Sequence, residues 1–171
     1  MTHQEFLQII NPVKDKMYRM ALRMLTSKEA AEDATQEVIL KLWNRRKKIR
    51  QYSNPEAYTM TVTKNYCLDQ LKLKYNNNLR IVHQNYESGS VSVHKETEIR
   101  DELTWVEKII RQLPEQQQMV FQLRDVEQYE FEEISEIMNM EQTAIRVALS
   151  RARKKIRESL TKKHEYGIRK S

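Results

Sequence analysis

Apolar side chains recur every three to four residues in the first part of the chain, the spacing that places them on one face of an α-helix. One such set comprises Val13, Met17, Met20, Ala21 and Met24. A second set comprises Ala31, Ala34, Val38 and Leu42. Thr26 and Glu29 precede the second set with the spacing of a capping box, so this helix is predicted to begin there and to reach about Arg50.

A third helix is predicted to begin at Asn54-Pro55, because proline suits the first turn of a helix, and to end near Lys74. The stretch that follows, residues 76–100, is polar and has no apolar stripe, so it is predicted to be a linker. The pattern therefore divides the chain into a first module over residues 5–75 and a second module over residues 101–163.

The second module shows four shorter helical patterns. The first carries Leu103, Val106, Ile109, Ile110 and Leu113, and the second begins at Pro114 and carries Met119, Val120 and Leu123. A short third helix over residues 131–138 is followed by a turn over residues 139–142, where Asn139 can adopt the left-handed conformation. The last helix carries Ile145, Leu149, Ala152 and Ile156 on one face. The last two helices predict a helix-turn-helix.

The composition supports an all-α chain. The 171 residues include only 2 glycines and 3 prolines, which disfavours hairpin-rich β folds and excludes a glycine-rich phosphate loop. The single cysteine, Cys67, excludes an internal disulfide and a multi-cysteine zinc site. Since the N-terminus lacks the features of a signal peptide and no apolar run is long enough to span a bilayer, we expect a cytoplasmic protein without membrane insertion.

Charge is distributed unevenly along the chain, whose net charge is +6. Acidic residues outnumber basic ones over residues 101–142, and basic residues outnumber acidic ones over residues 143–171. A similar change from acidic to basic occurs between Glu29 and Arg50. Each module is therefore predicted to present one face to a polyanion such as nucleic acid and another face to a different partner.

The histidines do not form an active site in the sequence pattern. His3, His83, His94 and His164 lie near the termini or in the predicted linker, away from the helical faces. No arrangement of Ser, His and Asp, or of Cys and His, can be recognised, and no metal-ligand spacing is present. We therefore predict a protein that is not an enzyme and needs no cofactor.

The second module resembles the fourth domain of the extracytoplasmic-function sigma factors of the sigma-70 family. The resemblance rests on the opening Leu113-Pro114, an acidic helix, a short turn, and a basic helix that contains Arg151-Ala152-Arg153. It implies that the last helix reads the minus-thirty-five promoter element. The side chains implied in that contact are Gln142, Thr143, Arg146, Ser150, Arg151, Arg153 and Lys154.

The first module resembles the second sigma domain. The run from Asp33 to Val38 is similar to the helix that binds the β′ subunit of core RNA polymerase, which implies a contact through Asp33, Gln36, Glu37 and Leu40. The run from Asn54 to Tyr58 is similar to the segment that melts the promoter and reads the minus-ten element. The side chains implied in that second contact are Arg50, Tyr52, Asn54, Tyr58, Lys64, Asn65 and Lys72.

Together, the two resemblances imply a two-domain sigma factor that directs promoter recognition and transcription initiation. Its implied partners are core RNA polymerase, through the β′ and β subunits, promoter DNA and an anti-sigma factor. Two alternatives remain open at this point. One is a one-component helix-turn-helix repressor whose first module is an effector or dimerisation domain, and the other is an interaction adaptor with no role on DNA. The acidic run from Asp33 distinguishes them, since a repressor has no need of a polymerase-docking helix.

Overall fold

The protein is all-α over the residues that the structure describes. A computed structural model describes residues 1–88 and 104–170, with side chains for residues 1–80 and 104–169. These residues contain nine α-helices and no β-strand, which confirms the predicted fold class. The chain divides into two compact units, Met1–Ile99 and Arg100–Ser171.

Over residues 1–88, the first unit contains five helices. They are α1 (His3–Ile10), α2 (Lys14–Leu25), α3 (Lys28–Asn44), α4 (Arg46–Ile49) and α5 (Pro55–Ser88). Helix α2 packs against both α3 and α5, and Ala21, Ala31 and Cys67 form part of the cluster that they enclose. The small alanine side chains let the helix backbones approach closely, while Met17 and Met20 fill the remaining space as fully buried side chains.

The connection between α2 and α3 differs from the predicted cap. Thr26 adopts the left-handed conformation, with φ 55° and ψ 21°, and ends α2. Ser27 is the N-cap of α3, because its side-chain oxygen accepts a hydrogen bond from the amide of Ala30. Only these two residues join the helices, and Thr26 is the C-cap of α2 while Ser27 is the N-cap of α3. The predicted capping box at Thr26 and Glu29 is therefore wrong.

Helix α3 ends earlier than the sequence indicates. It stops at Asn44, and Arg45 leaves the helical conformation with φ −105° and ψ 14°. The short helix α4 follows, and Ile49 at its end is fully buried. The break is stabilised on its outer side by Arg46, whose guanidinium lies 4.3 Å from the centre of the Trp43 ring. The apolar pattern of the sequence continues to Arg50 and does not account for the break after Asn44. We attribute the break to the burial of Ile49.

Helix α5 continues well past Lys74, to Ser88. Residues 76–88 of the predicted linker are therefore helical, and its residues 89–100 lie outside the described residues. The asparagines at 76–78 have low helix propensity, but neither glycine nor proline interrupts the chain between Glu56 and Ser88. The segment is exposed over residues 75–80, so its polar composition fits a solvated helix as well as a linker.

Over residues 104–170, the second unit contains four α-helices and one π-helical turn. They are α6 (Trp105–Arg111), α7 (Glu115–Phe121), the π-helical turn (Gln122–Val126), α8 (Phe131–Met138) and α9 (Gln142–Lys170). Helix α9 packs against α6, α7 and α8, with Ile145 fully buried at the start of its apolar face. Of the predicted apolar residues of α6, Val106 is largely exposed and Leu103 lies outside the described residues.

Cys67 is fully buried on α5, and burial raises the pKa of its thiol to about 12. In the unfolded chain the thiol has a pKa of about 8.5. We expect a disulfide reagent at pH 8 to label the native protein at least ~100-fold more slowly than the urea-unfolded protein, since only the thiolate reacts. Because the folded-state pKa is the higher one, the free energy of unfolding should decrease as the pH rises from the unfolded towards the folded value. Equal labelling rates in the two states would contradict this assignment.

Candidate functional site

One face of α3 presents all four residues that the sequence relates to polymerase binding. Asp33, Gln36, Glu37 and Leu40 are exposed, and Leu40 retains 56% of its surface. We call these four residues the α3 strip. The opposite face of the helix carries the buried residues Ala31, Ala34, Val38 and Leu42. Since α3 is fixed to the core along its whole length, the strip is a rigid surface that combines two carboxylates, an amide and an apolar side chain.

Two residues that the sequence did not indicate extend the α3 strip. Tyr66 of α5 lies close to the strip, since α5 packs against α3. Burial and then the nearby negative charge of Glu37 raise the pKa of the tyrosine hydroxyl. Lys41 lies over the same ring, with its ammonium nitrogen 4.6 Å from the ring centre. Tyr66 is 29 positions away from Glu37 in the chain, so only the packing of α5 against α3 brings it there.

Two tyrosines that the sequence relates to the minus-ten element are in direct contact. The rings of Tyr52 and Tyr58 are stacked, with centroids 3.8 Å apart and planes inclined by 14°. Between them in the chain, Asn54 accepts a hydrogen bond from the amide of Ala57 at 2.9 Å and caps α5. Its side-chain oxygen thereby fixes the start of the helix.

The polar residues of α5 fall into two groups. Tyr58, Asn65 and Lys72 are spaced by seven residues, so they share one face of the helix. Lys64 lies about 120° away from Tyr58 around the axis, and partial burial lowers the pKa of its ammonium group. Arg50, which precedes the helix, donates to the carboxylate of Glu5 at 2.5 Å. The structure therefore brings Tyr58, Asn65 and Lys72 onto one surface and separates Lys64 from it.

Helices α8 and α9 form the predicted helix-turn-helix. Asn139 between them has φ 51° and ψ 52°, which confirms that it takes the left-handed conformation. The hydroxyl of Ser135 donates to the carbonyl oxygen of Met140 at 2.6 Å and fixes the turn. Of the seven predicted DNA-contacting residues of α9, Gln142 is half-buried and the other six are exposed. The helix thus presents a polar, basic face away from its core.

Arg146, in the second turn of α9, contacts an aromatic ring of the preceding helix. Its guanidinium carbon lies 4.6 Å from the centre of the Phe131 ring, and that of Arg124 lies 4.7 Å from the same centre. Arg124 also donates to the carbonyl oxygen of Tyr129 at 2.8 Å. The contact holds Arg146 along the side of α9 that adjoins α8.

Arg153 has a carboxylate partner that the sequence did not reveal. Its Nε donates to Oδ2 of Asp125 at 2.8 Å, and its Nη2 donates to Oδ1 at 2.5 Å. Asp125 belongs to the π-helical turn, where the buried side chain of Gln122 donates to Glu127 at 3.1 Å. This bidentate salt bridge links the π-helical turn to α9 and neutralises the charge of Arg153. Arg153 is therefore a weaker candidate for DNA contact than Arg151 or Lys154.

Among the side chains of residues 1–80 and 104–169, no three His, Cys, Asp or Glu come together as possible metal ligands. None of the helices within residues 1–88 and 104–170 is long and apolar enough to cross a membrane.

A helix-turn-helix with a basic outer face, and a separate helical unit with a rigid acidic strip, together define a DNA-binding transcription protein. The family model for sigma-70 region 2 matches residues 9–75, and that for sigma-70 region 4 matches residues 103–156. The two matches together span more than two thirds of the chain. The chain belongs to the sigma-70 family of transcription initiation factors, as a member of the extracytoplasmic-function type.

A solved structure has a similar fold. The sigma factor RpoE of Bartonella quintana, in complex with the anti-sigma factor NepR, aligns with a TM-score of 0.70. The alignment covers 92% of this chain and 98% of that chain, at 22% sequence identity. The two family-model matches contain Asp33–Val38 and Arg151-Ala152-Arg153, and they confirm the family resemblance inferred from these residues. As a member of this family, the protein acts in transcription initiation, with RNA polymerase and promoter DNA as its partners.

Proposed function

We propose a division of labour in which the first unit binds core polymerase and helps to open the promoter, while the second reads the upstream element. In this proposal residues 5–75 act as sigma domain 2 and residues 101–163 act as sigma domain 4. The observation that carries it is the α3 strip, whose four members are all exposed on one rigid helix face. A repressor or a simple adaptor has no use for such a surface beside a helix-turn-helix.

The chemistry of the α3 strip suits a basic helical partner. Asp33 and Glu37 lie one turn apart and offer two carboxylates, and Gln36 can donate and accept hydrogen bonds. The exposed Leu40 adds apolar contact area at the end of the strip. Such a mixed surface can form charged pairs through its two carboxylates and bury Leu40 as an apolar anchor. We assign it to the coiled coil of the polymerase β′ subunit.

The stacked pair Tyr52 and Tyr58 suits an unpaired base. Their separation of 3.8 Å is that of stacked aromatic rings. An unpaired base can therefore stack on the outer tyrosine ring, or take its place in the stack, while α5 keeps its conformation. Asn65 and Lys72 continue along the same face of α5, where they can meet the backbone of the separated strand. We assign this face to the minus-ten element.

The similar structure supports one more partner. RpoE of Bartonella quintana is bound to the anti-sigma factor NepR in that structure. We propose that an anti-sigma factor also regulates this chain, and that the chain acts in the cytoplasm, where polymerase and DNA are present. In this proposal it is a regulatory subunit without catalytic activity of its own.

Reconstitution with purified core polymerase tests the division of labour. We expect run-off transcripts from specific genomic fragments when the full chain is added, and none with core polymerase alone. Tyr58→Leu should abolish most transcription from closed duplex templates and recover it on templates already unpaired across the minus-ten element, because the base no longer has to be captured. Sequence-specific binding to duplex DNA that needs no polymerase, together with repression, would instead identify a repressor.

A further inference from the structure

The outermost line of residues on α9 contains one residue, Val147, that the sequence did not indicate as a DNA contact. The buried face follows the spacing i, i+4, i+7, i+11 from Ile145 to Ile156. Thr143, Val147, Ser150 and Lys154 repeat this spacing two residues earlier. They therefore lie about 160° around the helix axis from the buried face, at the crest of the helix. Arg146 lies to one side of this crest, held against Phe131 of α8.

Val147 is the apolar member of the crest. It retains 49% of its surface, whereas the adjacent Ala148 retains 6%. It is the sixth residue of α9, within the first two turns that a helix-turn-helix places against base edges. Thr143 and Ser150, one turn before it and one turn after it, are also exposed. A base edge that meets this crest first encounters the two methyl groups of a valine.

The charges around Val147 favour DNA as the occupant of this surface. The exposed cations Arg146 and Arg151 lie on opposite sides of the crest, and Lys154 lies two turns further along it. A major groove has phosphates along both walls, while its floor carries one apolar group, the C5 methyl of thymine. Cations beside an apolar crest match that arrangement.

We propose that Val147 recognises the 5-methyl group of a thymine in the upstream promoter element and so determines specificity at that position. The inference rests on the proposed use of α9 as the promoter-reading helix, and it adds the identity of one base that α9 selects. The proposal explains why an apolar valine, and not a hydrogen-bonding side chain, is exposed at this position of α9.

Uracil provides a direct test, because it lacks the methyl group of thymine and keeps the same hydrogen-bonding atoms. Holoenzyme formed from the full chain and core polymerase first selects its preferred upstream element from promoter fragments randomised across that element. Each thymine of the selected element is then replaced singly by uracil, and the dissociation constant is measured. At one position we expect binding to weaken about fourfold, the effect of removing one buried methyl group.

Two variants show whether Val147 is responsible. Val147→Ala should bind the thymine and uracil versions of that position equally, and alanine is a good helix former, so α9 should remain intact. Leu160→Ala, which removes another exposed apolar side chain of α9, should keep the fourfold difference. A selected element without thymine, or a uracil effect that persists in Val147→Ala, would overturn this inference alone. Failure to select any upstream sequence would overturn the reading role of α9 and this inference together.

Discussion

Replacing both Asp33 and Glu37 by lysine is expected to weaken binding to core RNA polymerase about a hundredfold, or ~3 kcal/mol, because two favourable charge pairs become repulsive. Both side chains are exposed and one turn apart on α3. The fold should be unaffected, since one pair of like charges at this spacing replaces another. The measurement is the equilibrium affinity of the variant for purified core polymerase, with circular dichroism to confirm the helix content.

A matched control separates docking from a general effect of charge. Glu158→Lys with Glu165→Lys changes the net charge by the same amount on exposed positions of α9. We expect this control to bind polymerase with an affinity close to that of the parent. Added salt should also weaken the parent complex, since charges at the rim of an interface are screened. Unchanged affinity in the Asp33 and Glu37 double variant would remove the α3 strip from the polymerase interface.

Replacing Arg146 by alanine is expected to cost about 1–3 kcal/mol of binding to the preferred upstream element, and much less on unrelated DNA. Arg146 is exposed in the second turn of α9, where side chains reach base edges. Arg146→Lys should recover little of the loss, because lysine keeps the charge but cannot form the paired hydrogen bonds of a guanidinium with guanine. Binding of each holoenzyme to preferred and scrambled duplexes measures the difference.

Lys154→Ala provides the contrasting case. Lys154 lies two turns further along α9 and is exposed, and we expect it to contact phosphate. Its loss should weaken binding to all sequences alike and reduce the slope of log affinity against log salt by about 1. Arg153 is unsuitable for this comparison, because its charge is already paired with Asp125. If Arg146→Ala weakens preferred and scrambled DNA equally, specificity must come from other side chains, with Gln142 and Thr143 the next candidates.

The helical faces could be predicted from the sequence because the buried side chains of a helix must recur every three to four residues. Val13, Met17, Met20 and Ala21 recur at helical spacing, and each is completely buried. The α3 strip could be predicted for the same reason, since the positions opposite a buried stripe must face solvent. The left-handed Asn139 followed from local stereochemistry, since asparagine adopts this conformation more readily than most residues.

Helix ends were predicted less well, because several residues compete to end a helix and the choice depends on packing. Ser27 caps α3 because Thr26 already ends α2. Burial of Ile49 turns the chain after Asn44, although the helical pattern continues. No comparable signal ends α5 near Lys74, and the helix extends to Ser88.

The sequence by itself determined the class of fold, the two modules with their helix-turn-helix, and the family, because these depend on periodicity and short motifs. The tertiary structure decided which side chain meets which. Phe131 holds Arg146, Asp125 pairs with Arg153, and Tyr66 joins the α3 strip. These partners lie 15 to 29 positions apart along the chain, so no local pattern links them. Their contacts arise only when the helices pack, and the same packing leaves Val147 exposed on the side of α9 that faces away from the core.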